Sequence, residues 1–79
     1  MTQTNSATAR PVTVRAVPIE LCQFIKFAGL TESGGEAKQA ISDGRVRLNG
    51  VVETQKRKKL SAGDRVTLDG KVIIVQVAK

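Results

Sequence analysis

Two groups of residues in this sequence have types and spacing suited to chemistry, and both point toward anions. The first is a set of cations between Ala37 and Leu60: Lys38, Arg45, Arg47, Lys56, Arg57, Lys58 and Lys59, opposed only by Asp43 and Glu53. That segment holds five of the six net positive charges of the 79-residue chain. The second is Ser33-Gly34-Gly35, placed where a helix start would leave backbone amides unpaired and uncovered by side chains. Lys38, one turn further on, sets a positive charge beside those amides. Phosphates on a nucleic-acid strand are closely spaced, and each one neutralised releases condensed counterions, so nucleic acid is the natural partner of such a surface. Solubility explains any single lysine equally well, and the glycine pair could simply permit a tight turn between helices. The argument for binding rests on the convergence of the whole cluster.

Other chemistries are poorly supplied. The chain has no His and a single Cys, which removes the commonest metal ligand and general base and prevents an internal disulfide. The carboxylates Glu20, Glu32, Glu36 and Asp43 fit helix ends and solvent, so no enzyme activity and no cofactor are expected. Cys22 reads as a small residue at the edge of the core. The aromatics are Phe24 and Phe27 alone; Phe24 belongs to a core stripe, and Phe27 is expected to pack under the loop at Leu30 rather than to stack on a base. Recognition should therefore depend on the backbone shape of a folded nucleic acid, with little direct reading of sequence. The longest apolar run, Val72 to Val75, is far short of the ~20 residues that cross a bilayer. The amino terminus does not resemble a signal peptide, and a cytoplasmic location is expected.

The elements that must position these groups follow from periodicity. Residues 1–11 are polar and small and are expected to form a disordered leader to a single domain over 12–79. Alternation from Val12 to Val17 predicts a short strand stopped by Pro18. Leu21, Phe24, Ile25 and Ala28 fall on one stripe of a first helix, which Gly29 ends. Ser33 and Glu36 form a capping box for a second helix, with Glu36 reaching back to the Ser33 amide, Ala37, Ala40 and Ile41 facing inward and Gly44 closing the end. The period then becomes two. Val46 and Leu48 point one way and Arg45 and Arg47 the other, followed by Asn49-Gly50, a hairpin turn. A two-residue loop would set Glu53 opposite Val46, whereas a bulged loop one residue longer would set Val52 there and Glu53 beside Arg45; the hydrophobic pattern favours the longer loop. The basic run at 56–59 would then return to the same end, giving one basic face. Ser61 to Asp64 is a turn, and Arg65–Leu68, Asp69-Gly70 and Lys71–Val77 form a second hairpin.

With these residues in place, 19–70 resemble the RNA-binding module named after the fourth protein of the small ribosomal subunit, the S-four domain. The matching stretches are LCQFIKFAGL (21–30), SGGEAK (33–38), ISDGRVRLNG (41–50) and LSAGD (60–64), about two-thirds of the chain. The SGGEAK form looks like the small, stand-alone bacterial branch. The resemblance implies a helix pair and hairpin loop that grip structured RNA, with roles for Ser33, Gly34, Lys38, Arg45, Arg47 and Asn49. Many relatives carry an Arg where Gly34 stands, and the stand-alone branch often has a Gly where Arg57 stands.

The combined expectation is an α+β domain of two short helices packed on a small, mainly antiparallel sheet, an αL-type RNA-binding motif acting as a monomer. Its RNA-binding residues would be Ser33, Gly34, Gly35, Lys38, Arg45, Arg47, Asn49, Lys56, Arg57, Lys58 and Lys59. The partner would be ribosomal or transfer RNA, with the ribosome a possible carrier and no membrane contact. The alternative is a basic adaptor that docks on an acidic protein.

Overall fold

The turn residues and the alternation between them fix the strands. In a computed structural model, which describes residues 9–78, the chain runs β1 (Arg10–Val14), β2 (Ile19–Glu20), α1 (Leu21–Phe27), α2 (Gly34–Ser42), β3 (Val46–Leu48), β4 (Val51–Val52), β5 (Lys59–Leu60), β6 (Arg65–Leu68) and β7 (Lys71–Val77). Five strands form one sheet in the order β1-β7-β6-β3-β4, and β2 pairs with β5 in a separate two-stranded ribbon. All pairings are antiparallel except β1 with β7. The expected α+β arrangement of two helices on a mainly antiparallel sheet is therefore present, with one parallel pair at its edge.

β1 starts two residues before the expected position and stops at Val14, because its partner β7 ends at Val77, directly opposite. Arg10 and Pro11 thus belong to the sheet, while residues 1–8 of the expected leader lie outside the described residues. Both hairpins turn on two residues. Asn49 and Gly50 have φ of 52° and 86°, and Asp69 and Gly70 have 51° and 81°, the positive pair that matches the right-handed twist of the strands. Arg47 accordingly faces Val52, and Leu48 faces Val51.

This corrects the longer loop favoured by the hydrophobic pattern. That reasoning assumed that β4 has an apolar side to bury, but β4 is a two-residue edge strand with Val51 and Val52 both exposed. Burial exerts no hold on its register, so the Asn-Gly turn decides it. Glu53 then lies opposite Val46, where its amide donates to the Val46 carbonyl (3.0 Å).

One core joins the layers: Leu21, Phe24 and Ile25 from α1, Ala37, Ala40 and Ile41 from α2, and Val46, Val66, Leu68, Ile73 and Val75 from the sheet are all buried. The small alanines of α2 let the helices approach closely. Each helix ends in a paired carbonyl cap. After α1, Gly29 and Leu30 donate to Lys26 and Ile25; after α2, Gly44 and Arg45 donate to Ile41 and Ala40. Arg10 adds a hydrogen bond to the Ala28 carbonyl (2.9 Å), a cation at the negative end of α1.

The glycines divide into two kinds. Gly44 sits at φ +76°, while Gly34 has no such conformation and no atom within 4 Å of where a Cβ would be. Gly44→Ala should therefore cost about 1–2 kcal/mol, and Gly34→Ala should leave stability unchanged or raise it by up to ~1 kcal/mol. Urea unfolding of the two variants measures the contrast directly.

Candidate nucleic-acid interface

The basic run is held by the first turn of α1. Glu20, which precedes the helix, offers no side-chain cap. The Leu21 and Cys22 amides instead donate to the main-chain carbonyls of Lys58 (2.8 Å) and Lys56 (3.1 Å). A further bond from the Lys58 amide to the Gln55 carbonyl (3.1 Å) closes the turn. With the backbone fixed inward by these bonds, and Lys59 and Leu60 paired to Ile19 and Glu20, the side chains of Lys56, Arg57, Lys58 and Lys59 are all exposed.

α2 begins beside this loop. Ser33 Oγ accepts from the Glu36 amide (3.1 Å), and the Ser33 carbonyl accepts from Ala37 (3.2 Å). The Glu36 carboxylate reaches past the Ser33 amide predicted from the capping box to the Glu32 amide (2.8 Å), one residue further out. These contacts leave Gly34 and Gly35 as the first-turn amides without a helical partner. Neither glycine is demanded by local space or by a positive φ, so the bare backbone there answers to no packing need.

Gly34 and Lys38 of α2, Arg57 of the basic turn and Lys26 of α1 meet around a cleft of about 370 Å³, whose other walls are Glu20, Cys22 and Gln23. Three cations face one carboxylate across an open, polar hollow. Such a site suits a phosphate, whose oxygens can accept from Lys and Arg and from an unencumbered helix-start amide. Cys22 is buried at its floor. Lys26 was not among the residues picked out from the sequence; the signal was its position on the polar side of α1, off the core stripe.

The other expected residues lie elsewhere. Arg45 is bound to Asp69 in the second hairpin turn, through Nη2 to Oδ2 and Nε to Oδ1 (3.4 Å). It lines a different depression with Glu36, Gln39 and Leu68. The hydrogen bond and charge of Asp69 raise its pKa further. A raised arginine pKa adds stability that is lost only as pH climbs past it, far above neutrality, so no pH dependence near neutral follows. Arg47 is exposed between buried Val46 and half-buried Leu48, which directs it away from the core, on the opposite face of the sheet from the helices. The single basic face expected from period two is thus divided: the 56–59 turn joins the helices, whereas Arg45 is paired with a carboxylate and Arg47 belongs to the sheet.

Asn49 is occupied by the fold. Its Nδ2 donates to Asp64 Oδ1 (3.2 Å) and its Oδ1 accepts from the Arg65 amide (2.9 Å). Asp64 in turn accepts from the Ser61 amide (2.8 Å), organising that turn as its position suggested. Phe27, expected beneath the Leu30 loop, is instead 63% exposed, while Ala28 and Leu30 on either side of Gly29 pack against the core.

Residues 12–76 match the description of the S4 domain. The chain belongs to the S4 domain family. Among S4 relatives, YbcJ of Escherichia coli is 48% identical over 52 residues, 66% of this chain and 74% of that protein. Its solution structure, described as revealing an ALFAL motif involved in RNA-binding, superposes with a TM-score of 0.67 at 40% identity over 91% of both chains. The chain named Probable ribosome maturation protein RlbA, of Bacillus subtilis, is 36% identical over 62 residues, 78% of this chain and 87% of that one. Tyrosine–tRNA ligase of Bordetella pertussis is 40% identical over 60 residues, 76% of this chain but only 15% of the ligase, so the likeness covers a small part of that enzyme.

The bonds around Asn49 predict a structural role that can be separated from binding. Asn49→Ala removes two hydrogen bonds at a positive-φ position and should cost about 1–2 kcal/mol. Thermal unfolding reads the loss, while RNA affinity of the folded variant should be unchanged.

Proposed function

We propose that this chain is a non-catalytic RNA-binding protein that grips the sugar-phosphate backbone of structured RNA at the cleft between the two helix starts and the basic turn. The observation that carries the reading is the meeting of Lys26, Lys38 and Arg57 beside the open Gly34 amide. Lys56, Lys58 and Lys59 extend the positive surface around that cleft. Gly34 stands where many S4 modules have Arg, and the loss of that charge is offset by Arg57, which the basic turn delivers to the same cleft. Ser33 contributes by holding the helix start in place, and Gly35 by leaving its amide uncovered. Arg45, paired with Asp69 beside α2, and Arg47, on the outer face of the sheet, lie outside the cleft and act as secondary contacts, and Asn49 acts by shaping its hairpin.

The RNA is of the ribosomal or transfer class. Folded RNA of that kind presents phosphates from neighbouring turns at once, and a small rigid cleft reads such a surface by shape. The RNA-binding motif described for the YbcJ structure supports an RNA partner, and likeness to RlbA, named for ribosome maturation, favours a ribosomal setting. A basic adaptor on an acidic protein would survive nuclease treatment of a native pull-down; the RNA complex should not.

Binding should be strongly salt-dependent. If about four phosphates are neutralised, log K against log salt should slope at about −3 to −4. Changing Lys26, Lys38 and Arg57 together to Gln should flatten that slope by about 2 to 3, with the circular dichroism spectrum unchanged. An unaltered slope in the triple variant would remove the cleft from the interface.

A further inference from the structure

Phe27 is a large aromatic ring on the last residue of α1, and it is 63% exposed. It borders two apolar hollows. One, of about 370 Å³, is lined by Ile19, Gln23, Lys26 and Phe27; the other, of about 500 Å³, by Thr13, Val14, Arg15, Ala16, Ile19, Phe27 and Ala78. Gln23 and Lys26 also wall the phosphate cleft, so polar cleft and aromatic hollow form one continuous track across α1. Each hollow also carries a cation, Lys26 in one and Arg15 in the other, and no carboxylate is among the described residues lining the two hollows.

From this arrangement we infer that Phe27 is a stacking platform for one unpaired nucleobase of an RNA whose backbone lies in the adjoining cleft, an inference that rests on the RNA-binding reading above. A nucleobase needs a flat apolar partner for its face and positive charge near its phosphates, and the track offers both in sequence. A protein partner would also bury the ring, but the cations of the two hollows and the junction with the phosphate cleft favour a nucleotide. The backbone that carries the ring is fixed: Arg10 bonds the next carbonyl, that of Ala28, and the paired cap after it closes the end of the helix. The consequence is a preference for RNA with a bulged or looped-out nucleotide over a fully paired stem, without strong choice among bases.

The chain contains neither Trp nor Tyr, so Phe27→Trp introduces a single fluorescent reporter at the proposed platform. The probes are a synthetic RNA hairpin with one unpaired adenosine and the same hairpin fully paired. Emission of the Trp variant should be quenched by the bulged hairpin and little changed by the paired one. Phe27→Ala and Phe27→Leu, both at an exposed site and therefore folded, should each weaken binding of the bulged hairpin about tenfold and leave the paired hairpin unaffected. Unmoved emission while the bulged hairpin binds, or equal effects on both RNAs, would overturn the stacking site and leave the phosphate cleft standing, since salt-dependent binding would persist. If neither hairpin binds at low salt, both readings are overturned.

Discussion

The arrangement depends on two backbone hydrogen bonds, those from the Leu21 and Cys22 amides to the Lys58 and Lys56 carbonyls. A helix start without a side-chain cap has donors to satisfy, and a loop of four consecutive cations has mutual repulsion to contain. Here each solves the problem of the other. The loop supplies the caps, and the helix fixes the loop with its charged side chains outward. The amides of α1 are consequently spent within the protein, while the first two amides of α2 remain open beside the cations that α1 has drawn in. In the proposed reading, anion recognition falls to one helix start and structural support to the other.

Formal charge and available charge differ in this molecule. Arg45 contributes to the net charge of +6, yet its guanidinium is engaged by Asp69. Glu20 stands within the cleft that Lys26, Lys38 and Arg57 line. The field felt by a ligand is set by how the turns distribute these pairs. The Asp69-Gly70 turn engages one arginine outside the cleft, and the ribbon of β2 with β5 returns the basic run to the helices. Membership of the S4 family is consistent with this division, since the matched region includes both the helix pair and the hairpins.

Much of the fold was legible because local rules and burial agreed. The stripe at Leu21, Phe24 and Ile25, the Ser33 cap, the positive φ at Gly44 and the turn at Asp69-Gly70 each followed from spacing and residue type, and each is present. Sequence reasoning failed where burial was assumed and absent. β4 has no buried side, so the hydrophobic pattern misjudged its register. Phe27 has no cover, so the packing expected beneath the Leu30 loop does not form. The site was half legible for a related reason. Period two says which side chains share a strand face, but it says nothing about which helix a distant loop will cap. That the 56–59 turn meets α1, bringing Lys26 to the cleft and leaving Arg45 and Arg47 outside it, is a tertiary fact carried by main-chain carbonyls, which leave no mark in the sequence.

The most direct test of this account is a nitrogen-15 amide map of the protein titrated with a structured RNA at low salt. The largest shifts should fall on Gly34, Gly35 and Lys38, on Cys22 through Lys26, and on the turn from Lys56 to Lys59, with Arg45 and the Asp69-Gly70 turn little affected. Shifts concentrated on the outer sheet face around Arg47 and Thr67, with the helix starts silent, would contradict it.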